Sequence, residues 1–298
     1  MNHALAILID GIIYSSWLFI IAVGLTLIYG VMKIVNVTHG SFYALGAYAA
    51  ASITGAWIAA GYPPMLSYVV LVASAIVVAL VVAPALERGL LRFMYAKDEV
   101  VIMLITYALF LVLEDVIKLI WGVDPYFIAE PYGMMGSFDV GDLTYPTYNL
   151  LIVGAAILAA AGIAWVLQKT RIGKLLITVI HDPEVSRAMG INVDRFFLLT
   201  FTFGALLAAL AGALTAPTVS VVPGMGVDII VLSFAVVVIG GLGSLPGAAL
   251  GAGIVGLVRS FSVHYAPEFE LFIIYAVMAG VLAFRPRGLF SAPEARKI

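Results

Sequence analysis

Apolar residues run along most of this chain in long unbroken stretches, not in the alternating pattern of half-buried strands. Runs that approach the ~20 residues needed to cross a bilayer as a helix predict membrane spans. Two of the nine runs are shorter than that, so the pattern predicts an all-α bundle with eight or nine spans and some broken or re-entrant helices. The apolar runs are 6–30, 39–60, 67–84, 100–121, 148–168, 196–216, 229–241, 247–263 and 271–284.

Composition supports a lipid environment for the whole chain, because 63% of the 298 residues are hydrophobic and only 11% are charged. Soluble domains are about half apolar and about a quarter charged. In lipid every backbone amide must be satisfied within the protein, which favours helices for unbroken apolar runs. Residues 1–298 are therefore predicted to form a single transmembrane domain.

Basic residues are concentrated in every second interval between the apolar runs. All but Lys118 and Arg259 of the 15 lysines and arginines lie there, and the alternate intervals carry acidic residues instead. Positively charged loops stay in the cytoplasm. The distribution predicts a multi-pass protein of the bacterial inner membrane, with a periplasmic N-terminus and a cytoplasmic C-terminus. The basic intervals are 31–38, 85–99, 169–195 and 285–298.

Several functional classes are disfavoured by what the sequence lacks. There are no cysteines, and the net charge of −2 suggests no nucleic-acid partner. The phosphate-binding pattern G-x-x-x-x-G-K-[ST] is absent, so any ATP and Mg²⁺ would be bound by another chain. We predict neither catalytic residues nor metal ligands, and hence a protein that is not itself an enzyme.

Charged residues within the apolar runs lie near the predicted outer ends, and the middle of each run is uncharged. We interpret them as interfacial anchors. The spacing of Glu114 and Lys118 predicts an i, i+4 pair on one helix face. A proton-coupled carrier usually places a carboxylate or histidine deep in the membrane, and none is evident here. The charged residues are Asp10, Glu114, Asp115, Lys118 and Arg259.

Small residues recur at four-residue spacing in two of the runs, which lets helix backbones approach closely. We favour packing within the chain and leave open contact with a partner subunit or a transport path. The residues are Gly204, Ala208 and Gly212, then Gly243, Gly247 and Gly251.

A polar break interrupts the chain at residues 33–41, which we place on the cytoplasmic side. Broken helices can hold a carboxylate at a free helix N-terminus without a buried charged side chain. Asn36, Thr38 and Ser41 are suitable N-cap residues. We predict that Asn36, Thr38, His39 and Ser41 line a substrate path; the alternative for His39 is a capping role at the cytoplasmic interface.

A second break contains four glycines and a proline within eight residues, a composition that cannot continue a regular helix. Its residues are candidates for a helix break or close packing: Gly240, Gly241, Gly243, Pro246 and Gly247.

The basic interval 169–195 contains the signature of a short helix. Asp182 is a predicted N-cap, Pro183 occupies the first helical position, and Gly190 marks the end. Such a helix is either a membrane-surface element or a docking element for a cytoplasmic partner.

At these places the chain resembles the permeases of branched-chain amino acid ABC transporters. The resemblance is carried by 24–36, His39-Gly40 and Leu45-Gly46-Ala47-Tyr48, then by 188–195 with 204–213, and finally by 240–248. It implies a permease subunit that moves branched-chain amino acids or a related small polar or carboxylate solute inward by alternating access. The implied partners are a second related permease, two cytoplasmic ATPases that bind ATP and Mg²⁺, and a periplasmic substrate-binding protein.

The resemblance also implies that 181–191 is a coupling helix that enters a groove on the ATPase. One departure is Ser41, where relatives often carry an acid after His-Gly, and this leaves the solute open. A stand-alone secondary carrier or channel is the alternative function. The candidate coupling residues are Asp182, Glu184, Arg187, Met189 and Gly190.

Overall fold

Helices form over all nine apolar runs in the computed structural model of the chain, which describes residues 2–95 and 97–290. Within these residues, eight helical segments are long and apolar enough to cross a membrane, whereas α10 has only 16 residues. The prediction of an all-α, multi-pass bundle is confirmed. Arg296 and Lys297 of the predicted basic tail lie outside the described residues. The main helices are α1 (Asn2–Met32), α2 (His39–Ala59), α3 (Ser67–Gly89), α4 (Glu99–Trp121), α6 (Tyr148–Lys169), α9 (Val193–Thr215), α10 (Met225–Gly240), α11 (Leu245–Tyr265) and α12 (Glu270–Phe284).

Shorter elements occupy the two longest connections. The connection between α4 and α6 holds α5 (Glu130–Gly133) and an antiparallel hairpin of β1 (Ser137–Val140) and β2 (Leu143–Pro146). The connection between α6 and α9 holds α7 (Arg171–His181) and α8 (Pro183–Ala188).

The centre of the bundle is formed by α2 and α9, in which 61% and 67% of the most apolar window is buried, against 17% for α6 and 6% for α12. Glycine lets these helices touch backbone to backbone. A Cβ atom on Gly46 would overlap the Ala209 carbonyl, and one on Gly212 would overlap the Tyr43 carbonyl. A neighbouring pair, Gly204 and Gly24, brings α9 against α1.

The second set of regularly spaced small residues, Gly243, Gly247 and Gly251, packs within the chain as well. Gly247 approaches the Gly240 carbonyl and Gly251 approaches the Val236 carbonyl, where α11 meets α10. Gly243 precedes α11 and lies against Gly30 of α1. Packing within the chain is thus confirmed for both sets of small residues.

The end of the bundle that carries the basic intervals is held by polar contacts, and we call it the basic end. Asp194 pairs with Arg92 at 3.4 Å and with Arg187 at 3.6 Å. Tyr95 donates a hydrogen bond to Glu87 Oε1 at 2.7 Å. Burial and this hydrogen bond raise the pKa of the Tyr95 hydroxyl, so it remains a donor.

The opposite end carries the acidic connections, and we call it the acidic end. There a bridge joins Tyr126 to Val221. The predicted pair of Glu114 and Lys118 is wrong: Lys118 pairs with Asp115 at 3.2 Å. Glu114 is buried and accepts a hydrogen bond from the backbone N–H of Gly224. A tertiary contact thus replaces the local pair.

Candidate functional site

The first break starts at exposed Lys33 and ends deep in the bundle, where α2 begins. After α1 ends at Met32, an irregular segment of the chain returns into the bundle, and α2 begins at His39. The Nε2 atom of His39 lies 3.0 Å from the Ile21 carbonyl oxygen. Ile21 lies about three helical turns before the end of α1 at Met32. Our placement of the whole break at one end of the bundle is therefore wrong for the start of α2.

Helix α4 fixes the irregular segment through Thr106. The Thr38 hydroxyl donates to the Thr106 carbonyl at 2.8 Å, and the Val37 N–H donates to the Thr106 hydroxyl at 3.2 Å. Thr38 occupies the N-cap position of α2, but its side chain makes no capping hydrogen bond. The N-cap prediction is therefore wrong for the side chain, because Thr38 is used to join two helices instead.

The four predicted path residues come together in this one buried segment. Asn36, Thr38, His39 and Ser41 are each 0% exposed. Among the described residues, both amide atoms of Asn36, the His39 Nδ1 atom and the Ser41 hydroxyl find no hydrogen-bond partner. A buried polar group without a partner costs about 1–3 kcal/mol, so such a concentration needs an explanation beyond stability.

A further break adjoins the first; the interval between the apolar runs 196–216 and 229–241 predicted it, but its position inside the bundle was missed. The segment 216–224 connects α9 to α10, and its last residue, Gly224, has φ +89°. Gly226 at the start of α10 touches Gly40 at the start of α2, so two helices begin side by side inside the bundle. The Pro223-Gly224 dipeptide is the turn signal that could have located this break.

One face of α4 holds both internal breaks in place. Thr106 binds the segment before α2, and Glu114, two turns further on, binds Gly224 before α10. Phe110 lies between them on the same face and approaches Gly226. Thr106, Phe110 and Glu114, spaced four residues apart on one face of α4, therefore contact both interrupted regions.

The glycine-rich break lies apart from these two, at the basic end. Helix α10 ends at Gly240 and α11 begins at Leu245, with Pro246 in its first turn, so the predicted interruption is confirmed. Gly241 has φ +108° and Gly243 has φ +77°. Positive φ values of this kind strongly favour glycine.

The chain beyond α12 covers this break. The N–H groups of Leu289 and Phe290 donate to the carbonyls of Ile239 and Gly240 at 2.9 and 2.8 Å. Gly247 packs against Gly240. The five candidate break residues thus form a packed corner beside the end of α1, and the structure does not bring them to the four path residues.

The candidate coupling residues form a short capped helix, as predicted. Asp182 Oδ1 accepts hydrogen bonds from the N–H groups of Glu184 and Val185 at 3.0 and 2.9 Å. Helix α8 then runs to Ala188, and Gly190 ends it with φ +83°. The Met189 side chain is 70% exposed, so α8 presents an apolar tip at the basic end.

Helix α7, which precedes α8, was missed. Its apolar residues Ile172, Leu175, Leu176, Val179 and Ile180 follow the i, i+3, i+4, i+7, i+8 pattern of an amphipathic helix. That spacing was a sufficient signal. Because α7 packs against α6 and leads directly to Asp182, it positions α8 relative to the spans.

The chain is similar to permease components of known transport systems. A family model described as "Branched-chain amino acid transport system / permease component" matches residues 7–282. The permease protein BraD of Pseudomonas aeruginosa, of a high-affinity branched-chain amino acid transport system, is 27% identical over 99% of this chain and 98% of its own length. The corresponding LivH of Escherichia coli K12 is 28% identical over 97% and 96%. A probable LivH of Methanocaldococcus jannaschii is 30% identical over 95% and 91%. No solved structure matches the chain.

Proposed function

This chain belongs to the family of branched-chain amino acid transport permease components, and from that premise we propose that it is the membrane subunit of an ATP-driven importer. It carries a branched-chain amino acid, or a related small polar or carboxylate solute, inward by alternating access. It pairs with a second permease, and two ATPase subunits bind ATP and Mg²⁺ at the basic end. A periplasmic binding protein delivers the solute at the acidic end, which sets the N-terminus outside and the C-terminus inside.

The observation that carries this proposal is the shape of the basic end. A capped helix of six residues, α8, ends in an exposed methionine, Met189, and Val185 on the same helix is 52% exposed. Exposed apolar side chains on a short rigid helix outside the spans are suited to insertion into a groove of a soluble partner. An ATPase is the partner that an importer requires at this face.

One ion pair connects α8 to α9, and a second connects α9 to the segment after α3, so that Asp194 links all three. Asp194, in the first turn of α9, pairs with Arg187 of α8 and with Arg92 beyond α3. Each pair is half exposed and weak alone. Together with the direct connection through Gly190 to α9, they make α8 move with α3 and α9 when a partner displaces it.

Helix α9 carries that movement to the internal breaks. Gly204 of α9 packs on Gly24 of α1, and Gly212 packs on Tyr43 in the second turn of α2. Backbone contacts of this kind transmit displacement because no flexible side chain lies between them. A shift of α8 therefore reaches the start of α2, where the predicted path residues lie.

A pair of matched methionine substitutions tests the docking role of α8. Met189→Asp places a charge on the tip, and Met65→Asp places it on an equally exposed methionine (68%) at the acidic end. Met189→Asp is expected to lower the ATPase activity that co-purifies with the tagged chain at least about tenfold, the effect of ~1.4 kcal/mol of lost affinity. Met65→Asp is expected to leave it unchanged. Equal retention of ATPase by both variants would exclude α8 as the docking element.

A further inference from the structure

A cavity of about 580 Å³ opens at the acidic end. Residues of α1, α2, α6, α9, α10, α11 and α12 line it, and its wall includes part of the break between α9 and α10. Sites for small molecules typically enclose about 300–1,000 Å³. The volume is therefore sufficient for a small solute.

Charged residues that the sequence placed on separate spans meet in this cavity. Arg259 Nε lies 2.6 Å from Glu270 Oε1, and the Arg259 guanidinium lies 4.0 Å from the centre of the Tyr14 ring. His264 Nε2 lies 3.5 Å from Asp10 Oδ2. Asp10 and Arg259 were interpreted as interfacial anchors, and the structure adds that each pairs with another residue that lines this cavity.

Two groups that line the cavity, Asp228 and the remaining N–H groups of Arg259, are not used by these ion pairs. Asp228 also lines it and is exposed, and it forms no salt bridge with any described residue. Arg259 uses its Nε atom for Glu270, and its guanidinium carries further N–H donors in a fixed plane. The aromatic ring beneath Arg259 restricts the side chain, which prepares those donors for a bidentate acceptor such as a carboxylate.

The remaining wall combines apolar surface with unpaired polar atoms. Ile13, Ile229 and Leu232 contribute aliphatic surface. Ser260 is only 4% exposed and lines the same cavity, yet its hydroxyl finds no hydrogen-bond partner among the described residues. The indole N–H of Trp17, on the opposite wall, is likewise unpartnered within the described part of the chain.

We propose that this cavity binds a zwitterionic solute with an aliphatic side chain on its route from the outside into the membrane. The solute carboxylate binds the Arg259 guanidinium, and its ammonium group binds Asp228. The aliphatic side chain contacts the wall formed by Ile13, Ile229 and Leu232. The proposal deepens the importer function and rests on it for the direction of transport.

The cavity presents charges of both signs, which a zwitterion can use. Three carboxylates, from Asp10, Asp228 and Glu270, face the permanent cation of Arg259 and the ring of His264. A purely anionic solute would meet an excess of like charge, and a purely cationic one would leave the Arg259 donors unused. A zwitterion satisfies both signs at once.

Direct binding to the purified complex in lipid nanodiscs tests the site, with radiolabelled leucine as the probe. Asp228→Asn is the main variant, because that carboxylate is exposed and its loss does not break a salt bridge. Arg259→Gln is the second variant. Lys118→Gln is the control, because Lys118 is also an ion-paired base at the acidic end but does not line the cavity.

We expect Asp228→Asn and Arg259→Gln each to weaken leucine binding about tenfold or more, and Lys118→Gln to leave it unchanged. Leucinamide, which lacks the carboxylate, should compete poorly in the parent complex, and 4-methylpentanoate, which lacks the ammonium group, should do so as well. Native leucine affinity in both cavity variants, in a complex that still drives uptake, would overturn this site and leave the importer function standing. If both variants lose leucine binding while the parent complex binds leucine but shows no ATP-driven uptake, the result would support the site and overturn the importer function.

Discussion

Replacement of Gly190 by proline is expected to abolish solute uptake while the protein still inserts into the membrane. Gly190 has φ +83°. Proline fixes φ at about −65°, so the two conformations are incompatible. The N–H of Gly190 also donates to the Arg187 carbonyl at 3.0 Å, a bond that proline cannot make. The substitution therefore changes the direction in which the chain leaves α8, and Met189 no longer stands in the same place relative to α9.

The expected signature of Gly190→Pro is uncoupling, with ATP hydrolysis that no longer depends on solute and an uptake rate lowered more than about tenfold. Gly61→Pro is a close control, because Gly61 has φ +74°, donates to the Ile58 carbonyl at 2.9 Å and also faces open space, but lies at the acidic end. Solute-stimulated uptake at the normal rate in Gly190→Pro would remove 181–191 from the coupling mechanism.

Replacement of Asn36 by leucine is expected to separate stability from transport. Asn36 is fully buried and its amide has no partner among the described residues. An apolar side chain of similar size should therefore leave the thermal midpoint unchanged or raise it. If the amide contacts solute during transport, uptake should fall at least about tenfold, which corresponds to the loss of one or two hydrogen bonds.

Thr54→Val provides the matched control for Asn36→Leu. Thr54 is also 0% exposed, its hydroxyl is also unpartnered within the described residues, and it lies on α2 four turns beyond the break. It should gain or keep stability and keep full uptake. Full uptake in both variants would show that Asn36 has no part in the substrate path.

Local chemistry made the elements at the basic end predictable. The Asp182-Pro183 start and the Gly190 stop of α8 depend only on neighbouring residues, and the structure reproduces both. The glycine-rich break between α10 and α11 is equally local, since Gly241 and Gly243 require positive φ. The hairpin 137–146 was missed although its Gly141-Asp142 turn lies between two short alternating runs.

Depth in the membrane was not predictable, because it is set by contacts between distant residues. The sequence showed that the chain breaks before α2, but only the contacts of His39 with Ile21 and of Thr38 with Thr106 place that break inside the bundle. Glu114 illustrates the same limit. Its spacing to Lys118 favoured a local pair, and the N–H of the distant Gly224 binds it instead.

The cavity at the acidic end depends wholly on such long-range convergence. Asp10 and Arg259 each lie near the end of an apolar run, which favours an anchor at the lipid interface. The fold of α1, α11 and α12 pairs Arg259 with Glu270 and Asp10 with His264, and all four line one cavity. One sequence without the fold cannot reveal that arrangement.

The central claim is that this chain moves solute only as part of an ATP-driven complex. The most direct measurement is uptake of radiolabelled leucine by proteoliposomes that contain the complex purified through this chain, with the substrate-binding protein on one side and ATP on the other. Uptake is expected to require ATP, Mg²⁺ and the binding protein together. Uptake by the purified single chain without ATP would contradict it and would show that the protein is a stand-alone carrier or channel.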